Sequence, residues 1–171
     1  MEKLVRDETV QPYFDPDFDP NKLQTAAQNA VACEKCTGLP AELTVAQWAL
    51  ESGWGLHQPG NNCFGIKAYS GCHGTQLLKT IEYVNGVPEC INAEFATFAS
   101  LEDCFVAHAR LITQGRPYQD AWSKYKTSHD VLALIECIAP IYATAPGYAE
   151  MLTSIVQMPA VAAAIATARG H

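Results

Sequence analysis

The 171-residue chain lacks any apolar run approaching the roughly 18 residues that a bilayer-spanning helix needs. Its first residues, Met1-Glu2-Lys3-Leu4-Val5-Arg6-Asp7, contain no apolar stretch of the secretory kind, so no secretory signal is expected there. Basic residues are scarce. Eleven Lys and Arg face 18 Asp and Glu, a net charge of −7. Nucleic-acid binders carry a basic footprint, and this chain has none, which argues against that class. The same sign argues against long-range capture by anionic membranes or polymers. Charged residues make up only 17 % and hydrophobic ones 49 %, which excludes general disorder and supplies a core. No internal repeat is present, and a chain of this length suits one domain that buries roughly 70 % of its unfolded surface.

Cysteine, by contrast, is plentiful. Cys33, Cys36, Cys63, Cys72, Cys90, Cys104 and Cys137 make an odd count of seven. An oxidising compartment would pair at most six of them, with a connectivity that spacing does not determine. In a reducing one, most would serve as small buried apolar residues. Cys33-Glu34-Lys35-Cys36 has the spacing of zinc knuckles and redox sites, but no second such pair follows to complete a metal site. A disulfide or free thiols is the simpler reading. Cys63 or Cys104 with His108 would make a thiol nucleophile only by a chance pairing.

Residues 1–19 read as an extended, proline-punctuated arm, and residues 20–171 as one domain. Asp19 and Pro20 open a helix expected to reach about Cys33. A second is expected from Ala41 to Ser52, stopped by Gly53-Trp54-Gly55. Residues 56–74 are rich in Gly, Asn, Pro and Cys and read as an irregular loop. Between Thr75 and Phe98, β-branched and aromatic residues flank Asn85-Gly86, a strong hairpin signal. Ser100-Leu101-Glu102-Asp103 is a variant capping box that opens a helix to about Gln114. Further helices are expected near 117–125, 129–138, 147–157 and 160–169, the last an alanine-rich packing appendage. The fold class is therefore mainly α with one β-hairpin.

Glu51 carries the clearest chemistry. It follows Leu43 and Gln47 at four-residue intervals, so it lies along the apolar stripe of its helix. It also sits in the last turn, where the helix dipole is negative. Partial burial and that dipole both disfavour the carboxylate, so the carboxyl group is expected to hold its proton to higher pH. A carboxylic acid of this kind can protonate a departing glycosidic oxygen. The plain alternative is a helix-end glutamate that points to water or bonds a backbone amide.

The run Leu43-Thr44-Val45-Ala46-Gln47-Trp48-Ala49-Leu50-Glu51-Ser52-Gly53-Trp54-Gly55 resembles the signature of bacterial glucosaminidases that cleave peptidoglycan, of the flagellar-rod and autolysin types. Three further segments match in the same order. Asn62-Cys63-Phe64-Gly65-Ile66-Lys67 resembles the family's groove loop. Thr80-Ile81-Glu82-Tyr83-Val84-Asn85-Gly86, with Phe95 and Phe98-Ala99-Ser100, resembles its hairpin. Tyr142-Ala143-Thr144-Ala145-Pro146-Gly147-Tyr148-Ala149 resembles its late motif. The resemblance covers about residues 39–157.

The resemblance implies a lysozyme-like fold, two lobes around a glycan groove, and an endo-β-N-acetylglucosaminidase cutting GlcNAc–MurNAc strands by acid/base catalysis. It implies Glu51 as general acid, Glu82 as the second acidic residue and Tyr142 as a charge-stabilising or substrate-holding group. Asn62, Phe64 and Gly65 match the loop that lines the sugar groove, and Tyr118, in Arg116-Pro117-Tyr118, resembles a turn at its border. Glu82 could activate water or only position its lobe, or the substrate's acetamido group could act as nucleophile. If Asn85-Gly86 closes a two-residue turn, Glu82 lies opposite Glu89 and the two carboxylates repel, raising one pKa.

Trp48, Trp54 and Trp122 could stack on sugars, although Trp54 reads better as a core plug beside the site. Departures from the family pattern are Ala107 before His108, where many members have Asp, Ala145 in place of an Asp, and Cys63 in place of an apolar residue. The resemblance further implies no metal and no organic cofactor, with peptidoglycan glycan strands as partner. Action outside the cytoplasmic membrane would be compatible with disulfides, such as ones pinning the loop around Cys63 and Cys72. Two expectations account for the route, a leader trimmed from this sequence or delivery by a secretion, flagellar or phage lysis apparatus, and the effect could be bacteriolytic. Rivals are a muramidase or a lytic transglycosylase of the same fold. A rival of another class is a non-catalytic wall-binding module.

Overall fold

The computed structural model describes residues 18–171, so residues 1–17 of the expected arm lie outside the described residues. Seven α-helices and one two-stranded antiparallel sheet are present among the described residues. Helix α1, Pro20–Thr37, begins where Asp19 accepts a hydrogen bond from the Asn21 amide at 2.8 Å, with Pro20 in the first turn. It runs past the break expected at Cys36 and stops at Gly38, whose φ of 80° closes the last turn. Helix α2, Ala41–Ser52, has the expected bounds and ends at Gly53. The stripe read on it is only part of what is buried. Only Glu42, Leu50 and Glu51 are partly exposed, because α1 packs against α2 together with two later helices, α6 (Tyr148–Val156) and α7 (Pro159–Arg169). Helix α2 is thus the central helix, and its end is where the core opens to solvent.

Strands β1, Gly74–Val84, and β2, Val87–Thr97, pair with Glu82 opposite Glu89 and Val84 opposite Val87. Asn85 and Gly86 both have positive φ, 52° and 79°, as the two-residue turn requires. The hairpin is mostly exposed, and its root is tied to the preceding loop. The Ala96 N–H donates to the Ile66 carbonyl and the Ala68 N–H to the Glu94 carbonyl, each at 3.0 Å. Helix α3, Leu101–Gln114, is capped by Ser100, which accepts from the Asp103 amide at 3.1 Å. Aspartate is one carbon shorter than the usual Glu, and here its carboxylate accepts a hydrogen bond from the Ser100 hydroxyl at 2.8 Å.

A turn at Arg116–Tyr118 leads into α4, Gln119–Ser128, and α5, Val131–Tyr142, which extends beyond the expected end near residue 138. Pro140 removes one N–H from its last turn, and the exposed Glu136 carbonyl that loses this donor can turn to water. The alanine-rich α7 does more than append, since Val161 and Ile165 enter the core. Its Arg169 forks to Glu34 at 2.6 Å and Glu42 at 2.8 Å, tying α7 to α1 and α2.

The cysteine expectation is corrected. None of the seven cysteines is bonded. The Cys63 and Cys104 sulfurs lie 3.6 Å apart, a packing contact well beyond a bond of about 2.05 Å. Cys72 instead meets the Gly74 carbonyl at 3.3 Å. Cys63 and Cys104 are almost wholly buried and act as small apolar side chains. The Cys33/Cys36 pair is split by its helix. Cys33 is buried, with its thiol pushed up to about 11 chiefly by that burial, and Cys36 is exposed.

Candidate active site

A cleft of about 390 Å³ runs from the end of α2, under the hairpin, to the α5–α6 connection. Glu51 lines it from α2 and is partly buried. The left-handed turn at Gly53 and Trp54 ends the helix one residue beyond Ser52, so Glu51 stays at the cleft margin. Trp54 is 3 % exposed and stacks on Phe18 at 4.9 Å, the core plug expected of it. The Tyr148 hydroxyl donates to Glu51 Oε1 at 2.9 Å. Gly65 faces the other oxygen. A Cβ built there would lie 3.6 Å from Glu51 Oε2, and φ is +64°.

The structure brings Tyr142 into the same cleft. Its hydroxyl donates to the Phe64 carbonyl at 3.0 Å, so it has a lone pair rather than a proton to offer the cleft. The Tyr142 and Tyr148 rings stack 5.9 Å apart. Both phenols are held well above their ordinary range, first by burial and then by the nearby Glu51 charge, so both remain neutral.

From the hairpin, Glu82 faces the cleft but does not stand beside Glu89 alone. Lys67 Nζ meets its carboxylate at 2.7 Å and also lies 4.8 Å from the centre of the Phe95 ring. A cation thus answers the repulsion that register predicts. At the hairpin end, the Tyr83 amide donates to Thr144 Oγ1 at 3.3 Å, so the two sides of the cleft touch.

The loop residues Asn62, Phe64 and Gly65 all line the cleft, and the side chains of the first two are engaged within the protein. Asn62 lines the cleft, but its side-chain atoms are spent within the protein. Nδ2 donates to the Ile66 and Ala96 carbonyls, each at 2.9 Å, and Oδ1 accepts from the Ile66 amide at 3.0 Å. Phe64 is 1 % exposed and stacks on His108 at 4.0 Å. These two side chains shape the loop, and Gly65 leaves the space. Tyr118 lies outside this cleft and borders an adjoining cavity of about 970 Å³, which it shares with Tyr142, Gly65 and Lys67.

Sequence reading passed over Tyr148, Lys67 and Gln47 as site residues. Tyr148 and Lys67 lie inside quoted motifs, and Gln47 stands one turn before Glu51 on its stripe, where a polar residue calls for a partner.

A mostly helical body with one hairpin over a cleft, carrying a carboxyl group from each side, is the layout of a lysozyme-like glycoside hydrolase. The profile of the glucosaminidase family, described as mannosyl-glycoprotein endo-beta-N-acetylglucosaminidase, matches residues 27–159, and the chain belongs to that family. It is 33 % identical over 129 residues to the peptidoglycan hydrolase FlgJ of Salmonella typhimurium, covering 71 % of this chain and 40 % of that protein. It is also 33 % identical over 132 residues to the exo-glucosaminidase LytG of Bacillus subtilis, covering 72 % of this chain and 45 % of that one. The crystal structure of a peptidoglycan hydrolase mutant from Sphingomonas sp. A1 superposes with a TM-score of 0.74 at 28 % identity, covering 87 % and 99 % of the two chains. The chain therefore spans less than half the length of the two curated relatives, 40 % and 45 %.

Proposed function

We propose that this domain is a peptidoglycan hydrolase that cleaves the β-1,4 bond after N-acetylglucosamine within glycan strands, outside the cytoplasmic membrane. The observation that carries the reading is Glu51, partly buried at the end of the central helix, with Tyr148 bonded to one oxygen and Gly65 clearing space beside the other. Glu51 donates its proton to the departing glycosidic oxygen as the C1–O bond breaks, and the sugar left behind takes on oxocarbenium character. Glu82, oriented by Lys67, assists water or positions the sugar. Tyr142 presents a lone pair toward the developing positive charge. A net charge of −7 fits recognition by stacking and hydrogen bonds instead of bulk charge attraction.

The test is digestion of purified glycan strands followed by mass analysis of the new ends. Reducing-end GlcNAc on fragments of mixed length is expected. Reducing-end MurNAc would make the enzyme a muramidase, 1,6-anhydro ends a lytic transglycosylase, and binding without turnover a wall-binding module. Glu51→Gln should lose on the order of 10²–10⁴-fold in turnover, the usual worth of a positioned acid.

A further inference from the structure

Behind the cleft lie two polar side chains with no water exposure, Gln47 on α2 and His108 on α3. Buried polar groups are costly unless paired, so where their protons point is a physical constraint. Burial pushes the His108 imidazolium down to about 3, so the ring is neutral in any ordinary buffer, with one N–H and one bare nitrogen. Nε2 lies 2.8 Å from Gln47 Oε1, whereas Nδ1 has no hydrogen-bond partner among the described residues. A proton on Nδ1 would bury a donor without an acceptor, which folded proteins rarely do. The proton therefore sits on Nε2 and is donated to Gln47 Oε1.

That choice sets the rest. With its oxygen engaged, Gln47 turns its amide nitrogen to the Tyr148 hydroxyl, 3.3 Å away. An amide N–H₂ can only donate, so the Tyr148 proton has to go to Glu51 Oε1 at 2.9 Å. The geometry points to a one-way hydrogen-bond chain, His108 to Gln47 to Tyr148 to Glu51, that divides the acid's two oxygens: Oε1 is kept as an acceptor, and Oε2, on the Gly65 side, carries the proton delivered to the glycosidic oxygen. During delivery the Oε2–H bond breaks, the proton passes to the leaving oxygen, and the electron pair stays on Glu51. Nothing upstream ionises. His108, Gln47 and Tyr148 are positioning residues, and the inference rests on the reading of Glu51 as the acid.

The test compares pH–rate profiles of the whole chain on glycan strands. Among the described residues, the titratable groups around Glu51 are Tyr148 and Tyr142 beside it, with Glu82, Lys67 and His57 lining the same cleft, and Tyr148→Phe alters only the first of these. Tyr148→Phe keeps the ring that stacks on Tyr142 and deletes the last donor. It should lower kcat about tenfold with KM nearly unchanged. It should also move the alkaline limb up by about one pH unit, because the carboxylate loses a bond that favours its ionised form. His108→Phe keeps the stack on Phe64 and should move kcat and the limb the same way by less. His108→Gln supplies an amide donor near Nε2 and should restore the original profile. If Glu51→Gln is inactive while Tyr148→Phe leaves the limb in place, the inference fails and the functional reading stands. If His108→Gln and His108→Phe behave alike, the chain does not begin at His108 and the inference also fails. Full activity in Glu51→Gln overturns both.

Discussion

Asn62 and Gly65 show how two residues matched to the same groove loop come to serve different ends. The Asn62 side chain holds three backbone groups in place, and removing it strands the Ala96 carbonyl and the Ile66 amide in a nearly water-free setting, while the Ile66 carbonyl keeps the Ala96 N–H. Asn62→Ala should cost about 3 kcal/mol of stability, measured by urea unfolding, with KM of the folded fraction unchanged. A raised KM at full stability would instead make Asn62 a substrate ligand. Gly65 predicts the opposite pattern. Its φ of +64° makes Gly65→Ala cost about 1 kcal/mol, and the added carbon would fill space 3.6 Å from Glu51 Oε2. The kcat/KM of that variant should fall about tenfold or more, far more than its stability accounts for. Both residues stand out in the sequence, but only the folded loop makes one a clamp and the other a clearance.

At the level of elements, one exposed contact meets the hairpin's cleft-facing carboxylate. Lys67 and Glu82 retain 52 % and 30 % side-chain exposure, so their pairing should add little to stability. Lys67→Met should leave the unfolding midpoint nearly unchanged and lower kcat several-fold by releasing Glu82, and Lys67→Arg should retain most of the activity. Equal kcat in the Met variant would mean that Glu82 needs no such orientation. Elements of this kind were legible in the sequence wherever a local signal defined them. Asn85-Gly86 defined the turn, Ser100 and Asp19 the helix starts, and Gly53 the end of α2. What stayed hidden depends on distant partners. The wrapping of α2 comes from helices far along the chain, and the contact of Gln47 with His108 spans 61 residues. No periodicity reports such a pairing. The same holds for Cys63 and Cys104, whose spacing gives no sign that the two sulfurs meet without bonding.

For the molecule as a whole, the buried His108 makes stability depend on pH in a direction that the composition does not reveal. Its ordinary value is 6.5, and in the folded protein burial lowers it to about 3. Between those limits the unfolded chain takes up a proton on this ring and the folded chain does not. Acid therefore favours unfolding. This contribution is fully present above about pH 6.5 and is lost as pH falls toward 3, by roughly 1.4 kcal/mol per pH unit. Carboxylates titrate over part of the same range, so the wild-type slope alone does not isolate the ring. The difference between wild type and His108→Gln does, because the amide keeps the bond to Gln47 and cannot be protonated. Urea unfolding at intervals from pH 7 to pH 4 should show the wild type losing stability more steeply than His108→Gln, so that any advantage it holds at neutrality shrinks or reverses in acid. Parallel curves would mean that the imidazole is already protonated in the folded state, and a protonated ring would break the chain of donors that ends on Glu51.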